Sequence, residues 1–284
     1  MDVRNDETID RPGQFDHFSQ GPLDQQDLNH PLDGDPLHEQ FRGSGADATD
    51  GSPVHDVEAT PSSHTVQEAE DELPAEVSLW GLFARIGLSD FEHLARLARR
   101  APRSGAELSL AALATSRLPQ IEAVNAQVQR WSVTISDAMR PFRRPLNDLH
   151  AFTDPHMWTE ALTKIVLTQQ IWDSFTRSIR LPAALSDYLD RNRPSDEDRQ
   201  YPIKALRHYL SKDPSLVDRL SLYGRRVVAE VIAQLQHICA SNPKMTRYMT
   251  DSNSECGDLV SMSKILTDLT ADATALMADL GLRY

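Results

Sequence analysis

The pattern in this 284-residue chain that comes nearest to a chemical site is Asp90-Phe91-Glu92-His93. An acid and a histidine three positions apart share one face of a helix. Two Glu-x-x-His segments on two helices, with one Glu from each of two more, build a carboxylate-bridged di-iron centre inside a bundle. This chain contains no Glu-x-x-His, and a single Asp-x-x-His on a charged helix reads more simply as a solvated face. A glycine-rich phosphate loop, Gly-x-Ser-x-Gly, His-Glu-x-x-His and Cys-x-x-Cys are all missing, which removes support for nucleotide-dependent transfer and zinc hydrolysis. No serine or threonine has a recognisable histidine and acid setting. Glu230, Gln234 and His237 recur at about one-turn intervals and form a candidate interior polar face. Cys239 and Cys256 lack a pairing pattern and read as reduced thiols.

Long helices must position these residues. A first helix is expected over about Glu76 to Arg100, closed by Ala101-Pro102-Arg103-Ser104-Gly105. A second runs from about Ala106 to Ala138, with Leu110, Leu113, Val124, Val128, Trp131 and Ile135 on one face and Pro119 kinking or breaking it. Arg140-Pro141-Phe142-Arg143-Arg144-Pro145 reads as a connection, because two prolines oppose regular helix. Thr153-Asp154-Pro155 is expected to open a third helix with the stripe Trp158, Leu162, Ile165, Trp172, Phe175 and Ile179. A short helix over Ala183 to Arg191 follows, then one near Ser195-Asp196-Glu197-Asp198, where Pro202 fits only in the first turn or so. Asp213-Pro214 caps a strong helix reaching about Ser241, and a last one carries Leu259, Met262, Leu266, Leu269, Ala273, Leu276 and Leu280. No segment alternates as a strand does. The fold class is all-α, a bundle with additional helices.

Charge divides the chain. Residues 1–75 carry 18 Asp and Glu against 3 Arg, a net of −15; the whole chain nets −13, so the remaining 209 residues net +2. The tail's isolated Phe and Leu follow no period, and such a segment cannot offset its chain entropy. It is expected to be a disordered acidic tail, with a partner protein as one possible use. The bundle is expected over 76–284. No signal-peptide pattern and no membrane-length apolar run occurs, so the cytoplasm is the expected location. A domain near +2 gives nucleic-acid binding only weak support, resting on Arg140, Arg143, Arg144, Arg225 and Arg226.

Three stretches carry a family resemblance: Met139-Arg140-Pro141-Phe142 through Trp158, Phe175 and Arg177; Asp213-Pro214 with Arg219-Leu220, Tyr223-Gly224-Arg225-Arg226-Val227-Val228, Glu230 and Gln234-Leu235-Gln236; and Leu94-Ala95 with Ala101-Pro102. From about Val77 to Leu282 the chain resembles ferritin-like proteins, common in actinobacteria, that are related to the tRNA methylthio-isopentenyladenosine hydroxylases. The resemblance implies a ferritin-like antiparallel four-helix bundle and, in active relatives, a di-iron site that activates dioxygen. Carried over, the first-helix Glu falls between Arg85 and Ser89, where no Glu occurs. The second-helix pair falls on Arg117 and Gln120, the third-helix carboxylate on Gln169, and the last pair near Ser195 and Asp198. An amide is a poor substitute for a bridging anion, and a guanidinium repels a cation. The resemblance therefore implies a degenerate site with no metal cofactor, and a non-catalytic binding or structural module. A di-iron hydroxylase with non-standard ligands and an RNA-binding module without chemistry are the alternatives. Gln169 and Arg117 are expected to cluster, with Glu230 or Gln234 as further members.

Overall fold

The computed structural model describes residues 73–191, 193, 195–250 and 255–284, with the side chains of 119, 120, 122, 197 and 255–258 left aside. The expected tail disorder, up to residue 72, and the Cys256 thiol thus lie outside the described residues. Ten α-helices follow one another: α1 (Ala75–Ala98), α2 (Ser104–Thr115), α3 (Leu118–Val128), α4 (Ile135–Phe152), α5 (Trp158–Ser178), α6 (Ala183–Arg191), α7 (Asp196–Lys212), α8 (Leu216–Ser241), α9 (Pro243–Thr250) and α10 (Glu255–Asp279). No strand occurs among the described residues.

Three boundaries differ from the sequence expectation. The expected second helix breaks at Pro119 as its ring demands, in the first turn of α3, and departs from expectation in ending after Val128, where a 3-10 turn leads to Ser132 at φ 58°. That left-handed residue turns the chain, and Trp131 is left half-exposed rather than on the core face. The supposed connection around Pro141 and Pro145 is the middle of α4. Its amphipathic face, Ala138, Phe142, Leu146 and Leu149, is buried, and this packing outweighs the two missing backbone donors. Pro141 is exposed, so the carbonyl it leaves unbonded can be reached by water. Thr153-Asp154-Pro155 links α4 to α5 instead of opening α5. The α5 start is held by Glu160, which accepts from the His156 N–H at 2.8 Å and from Arg219 Nε at 2.8 Å. Pro202 sits in the second turn of α7, a helix begun by the Ser195 cap.

The topology repeats one move. Helices α1 and α4 run in the same direction, in register from Gly81 beside Ala138 to His93 stacked on His150. Helices α5 and α8 do likewise, from Glu160–Arg219 to Leu167 beside Gly224. Each parallel pair is joined by a two-helix crossover, α2–α3 or α6–α7. The two pairs run opposite to one another: Phe83 of α1 stacks on Phe175 of α5, and the Tyr223 hydroxyl of α8 donates to the Thr153 carbonyl after α4 at 2.7 Å. Helix α10 closes the far side, antiparallel to α5 and α8, with Ser174 donating to Asp272 at 2.7 Å. The first three turns of α5, Trp158 to Thr168, are buried on every face, which makes α5 the central element. Gly224 admits this packing, since a Cβ there would lie 2.9 Å from Met277 and 3.2 Å from Leu167.

Candidate functional site

Two polar cavities flank α1, one facing α5 and α6 and the other facing α4. The first has a volume of about 280 Å³, and Asp90, Arg117, Gln169, Trp172, Asp173 and Arg177 are on its wall. Asp90 comes from α1, Arg117 from the α2–α3 junction, and the rest from α5. Arg117 Nε is 3.8 Å from Asp90 Oδ2, and both side chains are less than a fifth exposed. Burial raises the Asp90 carboxyl above its ordinary range, while Arg117 and Lys164 act against that shift. Arg117 Nε and Gln169 Nε2 are buried without hydrogen-bond partners among the described residues. Phe83, Ile86 and Leu189 supply the apolar part of the wall.

Arg117 and Gln169 thus line one cavity, but the hydrogen-bonded cluster expected of them is not what the structure shows: Arg117 Nε faces Asp90 at 3.8 Å, and neither it nor Gln169 Nε2 has a hydrogen-bond partner among the described residues. Glu230 and Gln234 do not join it: they bond to each other at 2.7 Å along half-buried positions of α8. Ser195 and Asp198 are absent from its wall as well. Ser195 is the N-cap of α7, accepting the Asp198 N–H at 3.1 Å and donating to the Asp198 carboxylate at 2.6 Å, a local role that any helix start can demand. Gln120 lies in α3, with its side chain outside the described residues.

The second cavity, of about 300 Å³, lies between α1 and α4, walled by Ser89, His93, Arg96, Asn147, His150 and Asp154. The His93 and His150 rings stack at 4.9 Å between centroids. Lys164 of α5 acts electrostatically on both rings; it is 1% exposed, with no hydrogen-bond partner for its amine among the described residues. Burial lowers the Lys164 ammonium to about 7, with Asp154 and Asp90 opposing and Arg96 adding to the shift. Burial, and then Lys164, push both imidazoles well below the usual histidine range, so both rings are neutral at pH 7. Arg85, also buried, donates to Asn147 Oδ1 at 2.6 Å and faces Glu92 at 3.8 Å. Sequence reasoning noticed His93 and passed over its companions. His150 is hidden because the connection expected at Arg140–Pro145 leaves the last turns of α4 without an assigned element. Lys164 carried a usable signal: a lysine inside a run of α5 whose neighbours Leu162, Ile165 and Val166 are all apolar.

Among the described residues no group of three or more His, Cys, Asp or Glu is placed to hold a metal ion. The interior positions instead hold Arg85, Arg117 and Lys164. No helix of the described residues is long and apolar enough to cross a membrane.

Two parallel helix pairs packed in opposition around an apolar core, with polar cavities beside α1, define a ferritin-type helical bundle. The family described as "Ferritin-like domain, actinomycetes" matches residues 73–251, well over half the chain, and the protein belongs to it. No curated protein matches the chain.

Proposed function

We propose that this protein is a ferritin-like bundle whose di-iron site has degenerated, and that it serves as a non-catalytic binding or structural module. The observation that carries this reading is the Asp90–Arg117 ion pair at 3.8 Å beside Gln169 in one interior cavity. A di-iron centre needs four to six anionic or imidazole ligands there. The side chains present do not fit it: a guanidinium and an amide stand at two of the positions the family resemblance assigns to ligands, and the guanidinium neutralises the acid that lies nearest. The two charges oppose each other at 3.8 Å, as a buried arginine requires of an acid near it. The relation to tRNA-modifying hydroxylases is kept as a proposal of descent, resting on the Gly224-Arg225-Arg226 helix and the Met139-Arg140-Pro141-Phe142 segment. A cytoplasmic location and a partner protein for the acidic residues 1–75 belong to the same proposal. RNA binding draws less support, because Arg140 pairs with Asp137 and Arg144 with Asp148 within α4.

Metal analysis of protein purified from iron-rich growth tests the reading. The expected result is far less than one iron per chain, and no oxo-bridged di-iron absorption. Two tightly held irons per chain would refute it.

A further inference from the structure

The chamber between α1, α5 and α6 combines an apolar body with a polar end. Phe83 and Trp172 put aromatic rings on its wall, and Ile86, Leu181 and Leu189 add aliphatic surface. At about 280 Å³ it is roughly twice the size of a protein cavity, about 150 Å³, that takes up a benzene ring. One ring with a small substituent therefore has room. The fixed charges around it are answered. Among the described residues the wall carries three acids and three arginines. Asp90 faces Arg117 at 3.8 Å, Asp173 pairs with Arg199 of α7, and Asp190 faces Arg193 at 3.9 Å, both of them exposed. Arg177 donates to Ser174 Oγ at 3.1 Å, and that hydroxyl donates to Asp272 at 2.7 Å, so Arg177 stands one hydroxyl from an acid. An ion entering the chamber would meet no unanswered countercharge and would have to break one of these arrangements. A neutral molecule would not.

Hydrogen bonding is the opposite case. The 3.8 Å between Arg117 and Asp90 is too long for a hydrogen bond, and Arg117 Nε and Gln169 Nε2 have no hydrogen-bond partner among the described residues. Buried polar groups are nearly always satisfied, so this end of the chamber lacks an acceptor. The terminal torsion of a glutamine is broad, and the Gln169 amide can turn its N–H toward the chamber. Asp90, beside it on the wall, can accept in turn. A group that accepts on one edge and donates on the other, as a carboxamide does, meets both needs without carrying a charge.

We propose that the chamber formed by Phe83, Asp90, Arg117, Gln169, Trp172 and Leu189 binds a small uncharged ligand, a flat ring bearing a carboxamide-type edge. The ring lies against Phe83 and Trp172, and the edge reaches Asp90 and Gln169. This rests on the metal-free reading above, because two irons at this end of the chamber would fill the same space.

Three probes of one shape and different charge test it: benzamide, benzoate and benzamidinium, titrated calorimetrically into the full chain at about pH 7. Benzamide should bind with a Kd of about 1 mM or tighter, and at least about tenfold more tightly than either ion. The Trp172 indole N–H signal, identified by its loss in Trp172→Phe, should shift in NMR spectra when benzamide is added. Gln169→Leu, chosen because it should cost little stability, should weaken benzamide about threefold to tenfold and leave toluene, a ring without the amide, within about twofold. Leu189→Trp, at a half-buried wall position, should fill the chamber and remove the binding of both. Benzoate or benzamidinium binding as tightly as benzamide would overturn the uncharged ligand, as would no benzamide binding below about 10 mM. Benzamide binding that survives both variants undiminished would lie elsewhere and overturn it too. Iron analysis keeps the two proposals apart: a metal-free chain that ignores benzamide overturns the ligand alone, whereas two tightly held irons per chain overturn both.

Discussion

The two sides of α1 handle buried charge in opposite ways. Toward α5 and α6, acids and arginines meet as pairs: Asp90 with Arg117 and Asp173 with Arg199. Toward α4, the nitrogens of His93, His150 and Lys164 lack partners, and their charge is suppressed instead, with burial pushing all three toward the neutral form. A buried charge must be paired or given up. One helix presents both solutions: ion pairing on the α5 side, where burial still raises the Asp90 carboxyl, and suppressed charge on the α4 side.

The largest expected effect comes from the contact that sets the spacing on the α4 side. A Cβ on Gly81 would lie 2.0 Å from the Ala138 carbonyl oxygen, so Gly81→Ala must force α1 and α4 apart. A loss of about 3 kcal/mol or more in denaturant unfolding is expected, since backbone and not a flexible side chain is in the way. Next is the paired side. Arg117→Leu strands Asp90 and should cost roughly 2–3 kcal/mol at neutral pH, where Gln169→Leu should cost less than about 1 kcal/mol. Arg117 favours the ionised form of Asp90, so its contribution exists above the Asp90 midpoint and vanishes in acid as that carboxyl protonates. Equal losses for the two variants would show that the pair is not what stabilises this side.

The unpaired side should respond with the opposite sign. The folded-state midpoint of Lys164 is about 7 against 10.5 for the free side chain, so the unfolded chain binds the extra proton between those values. Stability therefore rises with pH across that window, and the cost of the buried amine is complete below pH 7. Lys164→Met should gain about 1–2 kcal/mol near pH 6 and nothing by about pH 10.5. The neutral imidazoles act the same way at lower pH, so acid should destabilise the wild-type protein as it drops through the ordinary histidine range. A destabilised Lys164→Met at pH 6 would mean that the amine has a partner and the two sides are alike. The smallest effect belongs to the acidic segment. Removing residues 1–72 should shift the melting midpoint by less than about 2 °C and leave the helical signal of the bundle unchanged. A larger shift would show that the segment covers one of the two cavities.

Much of this was legible in the residues. The helical ranges of α1, α6 and α8 follow directly from their apolar periods and their Pro and Asp punctuation. The misreadings share a cause. At Pro141 and Pro145 the local penalty is real, yet the buried face of α4 is large enough to override it. At Thr153 the cap signal is real too, but Glu160 and Arg219, fifty-nine residues apart, settle where α5 begins.

The sequence by itself determined an all-helical chain with an acidic N-terminal segment and a nearly neutral bundle, because composition and 3.6-residue periodicity are properties of neighbours along the chain. Only the tertiary structure decided that Asp90 belongs to Arg117, that Glu230 and Gln234 satisfy each other, and that His93 and His150 share one chamber within the field of Lys164. Charge compensation and desolvation depend on distances between helices far apart in sequence. A lysine in an apolar stripe has the same letters whether it reaches water or is sealed from it.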